Sequence, residues 1–350
     1  MNILTDFHHA GLLNSLILLL EKRLGHKVYR PIGMDWHTQG YWAVYDHPAT
    51  ALQFLTIDQA YRPKDGSEPL NLIDDNKSFS QESGIYYCKD ISTQRYNKAI
   101  TLEKFKEMEI DIIIASIPQH IKPFKELIRK YKPNAKLIYQ IGNAWNVKQN
   151  QVKNVMASAL VQIPAEIHSV TYHQEFDTDI FTFEPNLPNN KISSFVNCFD
   201  SAELFKDDWE LFQKIEKLMP SWKFRAYGGG CRNGAKHGEM GVSEAIGQSR
   251  LIWHTKRGGD GYGHIIHNVF AMGRPPIVNM SYYKNKMGGK LMVDGETCIA
   301  IDGLNPQEIV NKILSTNHKQ MAINAHNKFV QEVNFDEDEQ KIRQFLKLLQ

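Results

Sequence analysis

The chain has few cysteines for its length, no excess of charge of one sign and no long apolar run. Four cysteines stand in 350 residues, at Cys88, Cys198, Cys231 and Cys298. No two lie close enough in sequence for a zinc knuckle or a CxxC redox motif. No signal-peptide pattern opens the chain, and four reduced thiols in a cytoplasmic protein are expected. Lys and Arg number 41 against 39 Asp and Glu, a net charge of +2. That balance excludes a polybasic nucleic-acid-coating protein and leaves room only for a local basic groove. The longest apolar stretch near the start, Leu16 to Leu20, runs directly into Glu21, Lys22 and Arg23. It falls far short of the ~20 residues that cross a bilayer, so no transmembrane segment is expected. A GxGxxG turn is also missing after the first apolar strand, where Asp6-Phe-His-His-Ala-Gly11 stands. A nicotinamide dehydrogenase is disfavoured on that ground.

What is present is ordinary for a globular protein: 42% hydrophobic and 23% charged residues, in a length that suits about two domains. The first half alternates short apolar runs with helical patterns. Met1–Thr5 reads as a strand. Leu12, Leu13, Leu16, Leu19, Leu20 and Leu24 make one helical stripe, closed by Gly25 at a left-handed cap position. Strands are predicted at 27–30, 111–115 and 136–140, with a helix over 123–131. Residues 56–100 interrupt this rhythm as a polar insertion, a length of irregular chain that usually has a function. Phe183 to Asn190, with two prolines and three asparagines, reads as a linker. After it the pattern restarts: strands at 193–197, 222–227, 250–254 and 276–278, and helices at 201–218, 243–248, 264–272 and 306–314. The 201–218 helix is predicted to turn Leu204, Leu211, Ile215 and Leu218 inward. The expected organisation is an N-terminal acceptor-side domain over 1–185, a donor domain over 186–332 and a last helix over 333–350 packing back on the first domain. Repeated strand–helix units imply two doubly wound α/β domains, whose ligands sit at the carboxyl ends of the strands in a cleft between them.

The most informative segment is Lys256-Arg-Gly-Gly-Asp-Gly-Tyr-Gly-His264. It follows a predicted strand and opens a helix. Its glycines let backbone approach a ligand closely, and the free N–H groups of a new helix favour an anion. Lys256 and Arg257 add cationic donors. Together these features suit a diphosphate.

From Arg250 to Leu314 the chain resembles the carboxyl-terminal domain of GT-B glycosyltransferases, in particular the large retaining family. That family carries an acid, Gly, aromatic and Gly after a strand, then a second acid eight positions on, Ala-Met-Ala, Gly and Pro. Asp260, Gly261, Tyr262, Gly263, Asn268, Ala271, Gly273 and Pro275 stand at these places. The segments Val293–Thr297 and Ile299–Asp302 resemble the next turn and strand. The resemblance implies a GT-B architecture of two Rossmann-like domains and a glycosyltransferase that uses a nucleotide-diphosphate sugar, a UDP-sugar first among them, with no separate cofactor or metal. It implies that Asp260 lies beside the donor sugar and that Asn268 holds the ribose without the usual charge. Gly229, Arg232, His254, Lys256, Arg257, Gly261, Tyr262, Gly263, His264 and Asn268 form the expected donor site, with Lys236 a further basic candidate. The loop after the first strand would face the donor, which makes Asp6, His8 and His9 catalytic candidates beside Asp260. An inverting reaction needs one of them as base; a retaining one does not.

Met34, Trp36, His37, Tyr41, Trp42 and Tyr45 form an aromatic stretch, and Asn143 follows a strand end. Trp36 and Asn143 are the acceptor-binding candidates. The stretch from Asp6 to Trp42 is similar to glycosyltransferase-like proteins of phage genomes. That similarity implies the cytoplasm of a bacterial host and a hydroxymethylated pyrimidine in DNA as acceptor, a base that must be flipped out to react; a saccharide or small molecule is the other class. The loop with Lys284, Lys286 and Lys290 is a solvated loop or a hold on a polyanionic acceptor. A sugar-nucleotide 2-epimerase and a non-catalytic sugar-nucleotide-binding protein are the alternative functions.

Overall fold

The computed structural model describes residues 1–6, 9–31, 84–89, 95–143, 151–188 and 190–349. His8, Trp36, the rest of the aromatic stretch and most of the 56–100 insertion lie outside them. The chain divides into two compact units, Met1–Phe176 with Phe335–Gln350, and Asp177–Asn334. Among the described residues no helix is long and apolar enough to cross a membrane.

In the first unit, β1 (Asn2–Thr5) is the central strand. It pairs in parallel with β2 (Lys27–Pro31) on one side and β5 (Ile112–Ala115) on the other. β3 (Ile85–Lys89) and β4 (Tyr96–Ile100) extend the sheet beyond β2, and β3 is its antiparallel member. β6 (Lys136–Ile141), β7 (Asn154–Ala157) and β8 (His168–Thr171) extend it beyond β5, giving the order β3-β4-β2-β1-β5-β6-β7-β8. The order in which strands are added reverses between β1 and β5, and beyond the carboxyl ends at such a switch point ligands of these sheets bind.

α1 (Ala10–Leu16) runs on into a π-helical segment, Ile17–Arg23. All six leucines of the predicted stripe are buried in the core beneath it. Gly25 ends the segment at φ +70°, a left-handed conformation that glycine adopts without strain. α2 (Leu102–Glu107) is capped by Thr101, and α3 spans Pro118–Tyr131. α3 begins five residues before the predicted start. Pro118 occupies its first turn, where no N–H is needed, and Pro123 lies inside it. The last helix of the chain, Phe335–Lys347, buries Ile342, Phe345 and Leu346 in the same core as α1.

The second unit has five parallel strands: β9 (Lys191–Ser194), β10 (Lys223–Ala226), β11 (Leu251–Trp253), β12 (Pro276–Val278) and β13 (Ile299–Ala300), in the order β10-β9-β11-β12-β13. The reversal falls between β9 and β11. The helices between are α4 (Lys206–Leu218), α5 (Gly238–Gly247), α6 (His264–Ala271), α7 (Pro306–Ser315) and α8 (His318–Glu332), before the terminal helix α9 (Phe335–Lys347).

Three local expectations are corrected. β9 ends at Ser194, because the chain bends into the turn that holds Cys198 in a left-handed conformation. A short 3-10 turn, Glu203–Phe205, precedes α4 and contains Leu204. Phe205, Phe212 and Ile215 face the core with Leu211 packed against it, while Leu204 and Leu218 are exposed. Phe212 is held edge-on against both Phe224 and Trp253, so aromatic packing sets which face is inside. The helix predicted over 243–248 begins earlier, at Gly238: Ser243 sits in the middle of α5, and its hydroxyl donates to the Ile180 carbonyl at 2.6 Å.

Candidate functional site

At the carboxyl end of β11 the backbone enters a glycine-rich bend. Gly258, Gly259 and Gly263 all have positive φ, +75°, +68° and +83°. Gly263 is the N-cap of α6, which starts without a side-chain cap. The first N–H groups of α6 are thus presented to whatever lies before them. A Cβ on Gly259 would sit 2.5 Å from the Tyr282 carbonyl oxygen, so this position accepts only glycine. The bend is half-buried, with Gly261 and His264 partly open to solvent.

Asp260 organises the charges here. His254 Nε2 lies 2.7 Å from Asp260 Oδ2, and Lys256 Nζ donates to Oδ1 at 2.5 Å. The Tyr283 hydroxyl is 3.5 Å from Oδ2. Burial would raise the Asp260 carboxyl, but His254 and Lys256 outweigh it and hold it well below the usual carboxylate range. His254 is only 2% exposed, and its Nδ1 has no protein partner. Lys286 also packs on the bend: its Cε would be 3.2 Å from a Cβ on Gly259. Burial lowers its pKa, and Asp260 opposes the shift. Lys256 is thus ion-paired with Asp260, and Lys286 lies near enough for that carboxylate to act on it through space; both place positive charge beside the start of a helix, which suits an anion.

The remaining members of the expected donor set divide. Tyr262 is packing: it is buried and stacks on His267 at 4.0 Å, while His267 Nδ1 lies 2.9 Å from the Gly263 carbonyl oxygen. Asn268 is 6% exposed, and its Oδ1 has no protein partner. Arg257 points to Asp207 in the first turn of α4, at 2.7 Å. Arg232 forks onto Glu216 with two contacts of 2.9 Å and lies over the Trp209 ring. Lys236 lies over the Tyr227 ring at 5.1 Å. The structure brings His254, Lys256 and Asp260 together and ties Arg232 and Arg257 to acids elsewhere. Gly229 lies in the turn after β10, where its N–H donates to Asn197 Oδ1 at 3.0 Å.

Asp208, in the first turn of α4, faces the same strand end. Thr255 stands beside it, with Thr255 Oγ1 accepting from Trp253 Nε1 at 2.9 Å. Burial pushes the Asp208 carboxyl up to about 6, against the opposing pull of Arg257. Sequence reading missed Asp208, Tyr283 and Lys286 as neighbours of the bend. The one signal for Lys286 was the Gly288-Gly289 pair beside it: a Cβ on Gly289 would sit 2.1 Å from the Tyr283 carbonyl oxygen.

In the first unit, Asp6 stands at the carboxyl end of β1, at the point of reversal. Its side chain is fully buried. It accepts from the Ser116 N–H at 2.7 Å and the Ser116 hydroxyl at 2.5 Å, and lies 2.6 Å from His120 Nδ1. His120 Nε2 is buried with no protein partner. His9 is the exposed N-cap of α1 and makes no side-chain cap. Asn143 follows the carboxyl end of β6, half-buried.

No protein-family model matches the chain, and no curated protein matches its sequence. Solved structures do match along its whole length. HepE of Anabaena, solved with UDP and glucose, has TM-score 0.63 at 13% identity over 99% of both chains. The pneumococcal O-GlcNAc transferase GtfA, solved with UDP and GlcNAc, has TM-score 0.60 at 11% identity, over 100% of this chain and 99% of that one. Sucrose-phosphate synthase of Thermosynechococcus elongatus has TM-score 0.58 at 9% identity, over 99% and 98%. These neighbours are GT-B glycosyltransferases, and the chain has the GT-B fold.

Proposed function

We propose that this protein is a glycosyltransferase that moves a sugar from a nucleoside-diphosphate sugar, UDP-linked first among them, to a hydroxyl acceptor. The observation that carries the reading is the bend at the switch point of the second unit. It combines the uncapped start of α6, the left-handed Gly263, Lys256 paired with Asp260, and Lys286 packed on the bend. The complexes of HepE and GtfA with UDP support the choice of nucleotide.

In this reading the diphosphate oxygens accept from the first N–H groups of α6, and Lys256 and Lys286 neutralise the charge that grows on the leaving phosphate. Asp260 keeps Lys256 and His254 in place, since both its oxygens are already engaged. Asn268, with an unpartnered buried oxygen, accepts a donor hydroxyl. Asp6 is a positioning residue that ties β1 to the start of α3 through Ser116 and His120. The acceptor class is a hydroxyl compound. The finer reading, a hydroxymethylated pyrimidine in DNA, has less support from the loop after β12, because Lys286 is buried against the bend and only Lys284 and Lys290 of the three lysines are exposed.

Incubation with a panel of radiolabelled UDP-, GDP- and ADP-sugars tests the proposal. The expected result is release of nucleoside diphosphate with the sugar on a hydroxyl acceptor or on water. An isomerised donor with no transfer identifies a 2-epimerase instead, and binding without turnover a sensor.

A further inference from the structure

Two of the free cysteines, Cys198 and Cys231, lie in the loops that follow β9 and β10. Cys198 is exposed and has φ +56°, the only positive φ outside glycine among the described residues. A side chain is held there against its own preference. The Cys198 N–H donates to the Gly229 carbonyl at 2.8 Å. Cys231 Sγ lies 4.0 Å from that same oxygen, and 3.2 Å from the Val196 carbonyl oxygen. Burial raises the Cys231 thiol, and the nearby backbone opposes the shift. In the other direction, Cys198 Sγ is 3.4 Å from where a Cβ on Gly230 would stand, and Cys198 Cα is 4.0 Å from it. Each sulfur thus lies against the other cysteine's stretch of backbone.

We infer that Cys198 and Cys231 form a reversible thiol–disulfide switch, with Cys198 the thiol that meets oxidant and Cys231 the thiol that resolves it. The oxidant is a hydroperoxide. The Cys198 sulfur attacks one peroxide oxygen and the O–O bond breaks. With hydrogen peroxide the sulfur becomes a sulfenic acid and the leaving hydroxide takes up the thiol proton as water. The Cys231 sulfur then attacks the Cys198 sulfur and the S–O bond breaks. Hydroxide leaves with the Cys231 proton as a second water. Two thiols are oxidised and one peroxide is reduced. The product ties the loop after β9 to the loop after β10, on one side of the second unit's switch point. Cys298 is the internal control: it is fully buried, and burial pushes its thiol up to about 12. This switch does not depend on the glycosyltransferase reading.

The test is hydrogen peroxide treatment of the native full chain, alkylation with iodoacetamide, and non-reducing peptide mapping by mass spectrometry. The expected result is a linked Cys198–Cys231 peptide pair, 2 Da lighter than the two thiols, cleaved by dithiothreitol, with Cys298 unchanged. Amide exchange in 196–202 and 228–234 slows in the oxidised protein and recovers on reduction. In Cys231→Ser the linkage is lost and Cys198 is trapped by dimedone as sulfenic acid. Three results overturn the inference: Cys198 advancing to sulfinic acid in the unsubstituted protein without a linkage, a Cys198–Cys198 bond between two copies, or both thiols remaining open to iodoacetamide after peroxide.

Discussion

His254 and Asp260 meet at 2.7 Å across the glycine bend, and His254 is almost wholly buried. The pair sits six positions apart in sequence, at a strand end and in the loop it feeds. With Lys256 on its other oxygen, Asp260 is the hub on which the bend's charges are placed.

Replacing the hub by Asp260→Asn keeps the shape and removes the charge. Lys256 loses its ion pair, and the expected loss of transfer rate is about 100-fold, or ~2.7 kcal/mol of barrier, with a smaller loss of donor affinity. A rate within twofold of the unsubstituted protein removes Asp260 from the site. The same change alters acid stability. The Asp260 carboxyl is held below its unfolded value, so its contribution is present above the ordinary carboxylate range and lost as pH falls through the depressed folded value. The Asn variant lacks that part of the acid dependence in thermal melts.

Gly259 and Gly263 separate two meanings of glycine. A Cβ at Gly263 has room, 3.4 Å from the nearest heavy atom, Asp260 Cβ, and only the left-handed φ opposes it, at a cost of about 1–2 kcal/mol. Gly263→Ala is expected to stay folded and to lose donor affinity at least tenfold in calorimetry. Gly259→Ala drives a methyl group into the Tyr282 carbonyl and is expected to lower the melting temperature sharply. Equal melting temperatures for the two variants would contradict this contrast.

Asp208 carries a pH signature. Its folded pKa is raised from 3.8 to about 6 by burial, so the folded state holds the proton more tightly than the unfolded one. The penalty is absent below about pH 4, grows as pH rises toward 6 and is complete above it, about 3 kcal/mol in all. Asp208→Asn is therefore expected to melt higher than the unsubstituted protein at pH 8 and to match it near pH 4. A difference of the same size at both pH values would rule out titration of Asp208 as the cause.

Asp6→Ala leaves the Ser116 N–H, the Ser116 hydroxyl and His120 Nδ1 without their buried acceptor. Each such loss costs about 1–3 kcal/mol. Urea unfolding is expected to show a loss of several kcal/mol, with UDP affinity unchanged. Full stability combined with lost transfer would place Asp6 in the chemistry instead.

Much of this architecture was legible in the residues. The leucine stripe of α1, the left-handed Gly25 and the apolar strands β1, β5 and β6 follow from period and cap chemistry, which are local. The bend was legible as a strand, glycines and a helix start in a row. What the sequence hid was long-range. Asp6 meets Ser116 and His120 some 110 positions away, and Lys286 arrives on the bend from a loop that reads as solvated. Of the expected inward face of α4, Ile215 and Leu211 do meet the core, while Leu204 and Leu218 are exposed because Phe205 and Phe212 fill the space instead. Ser243 resembles an N-cap by residue type, yet its hydroxyl is spent on Ile180 from inside a helix.

The anion cradle is tested most directly by calorimetric titration of UDP and of UDP-glucose into the unsubstituted protein, Gly263→Ala and Lys286→Met. The account predicts saturable binding to the unsubstituted protein, at least tenfold weaker binding to both variants, and melting temperatures within a few degrees in the absence of nucleotide. Equal UDP affinity in all three proteins would contradict it.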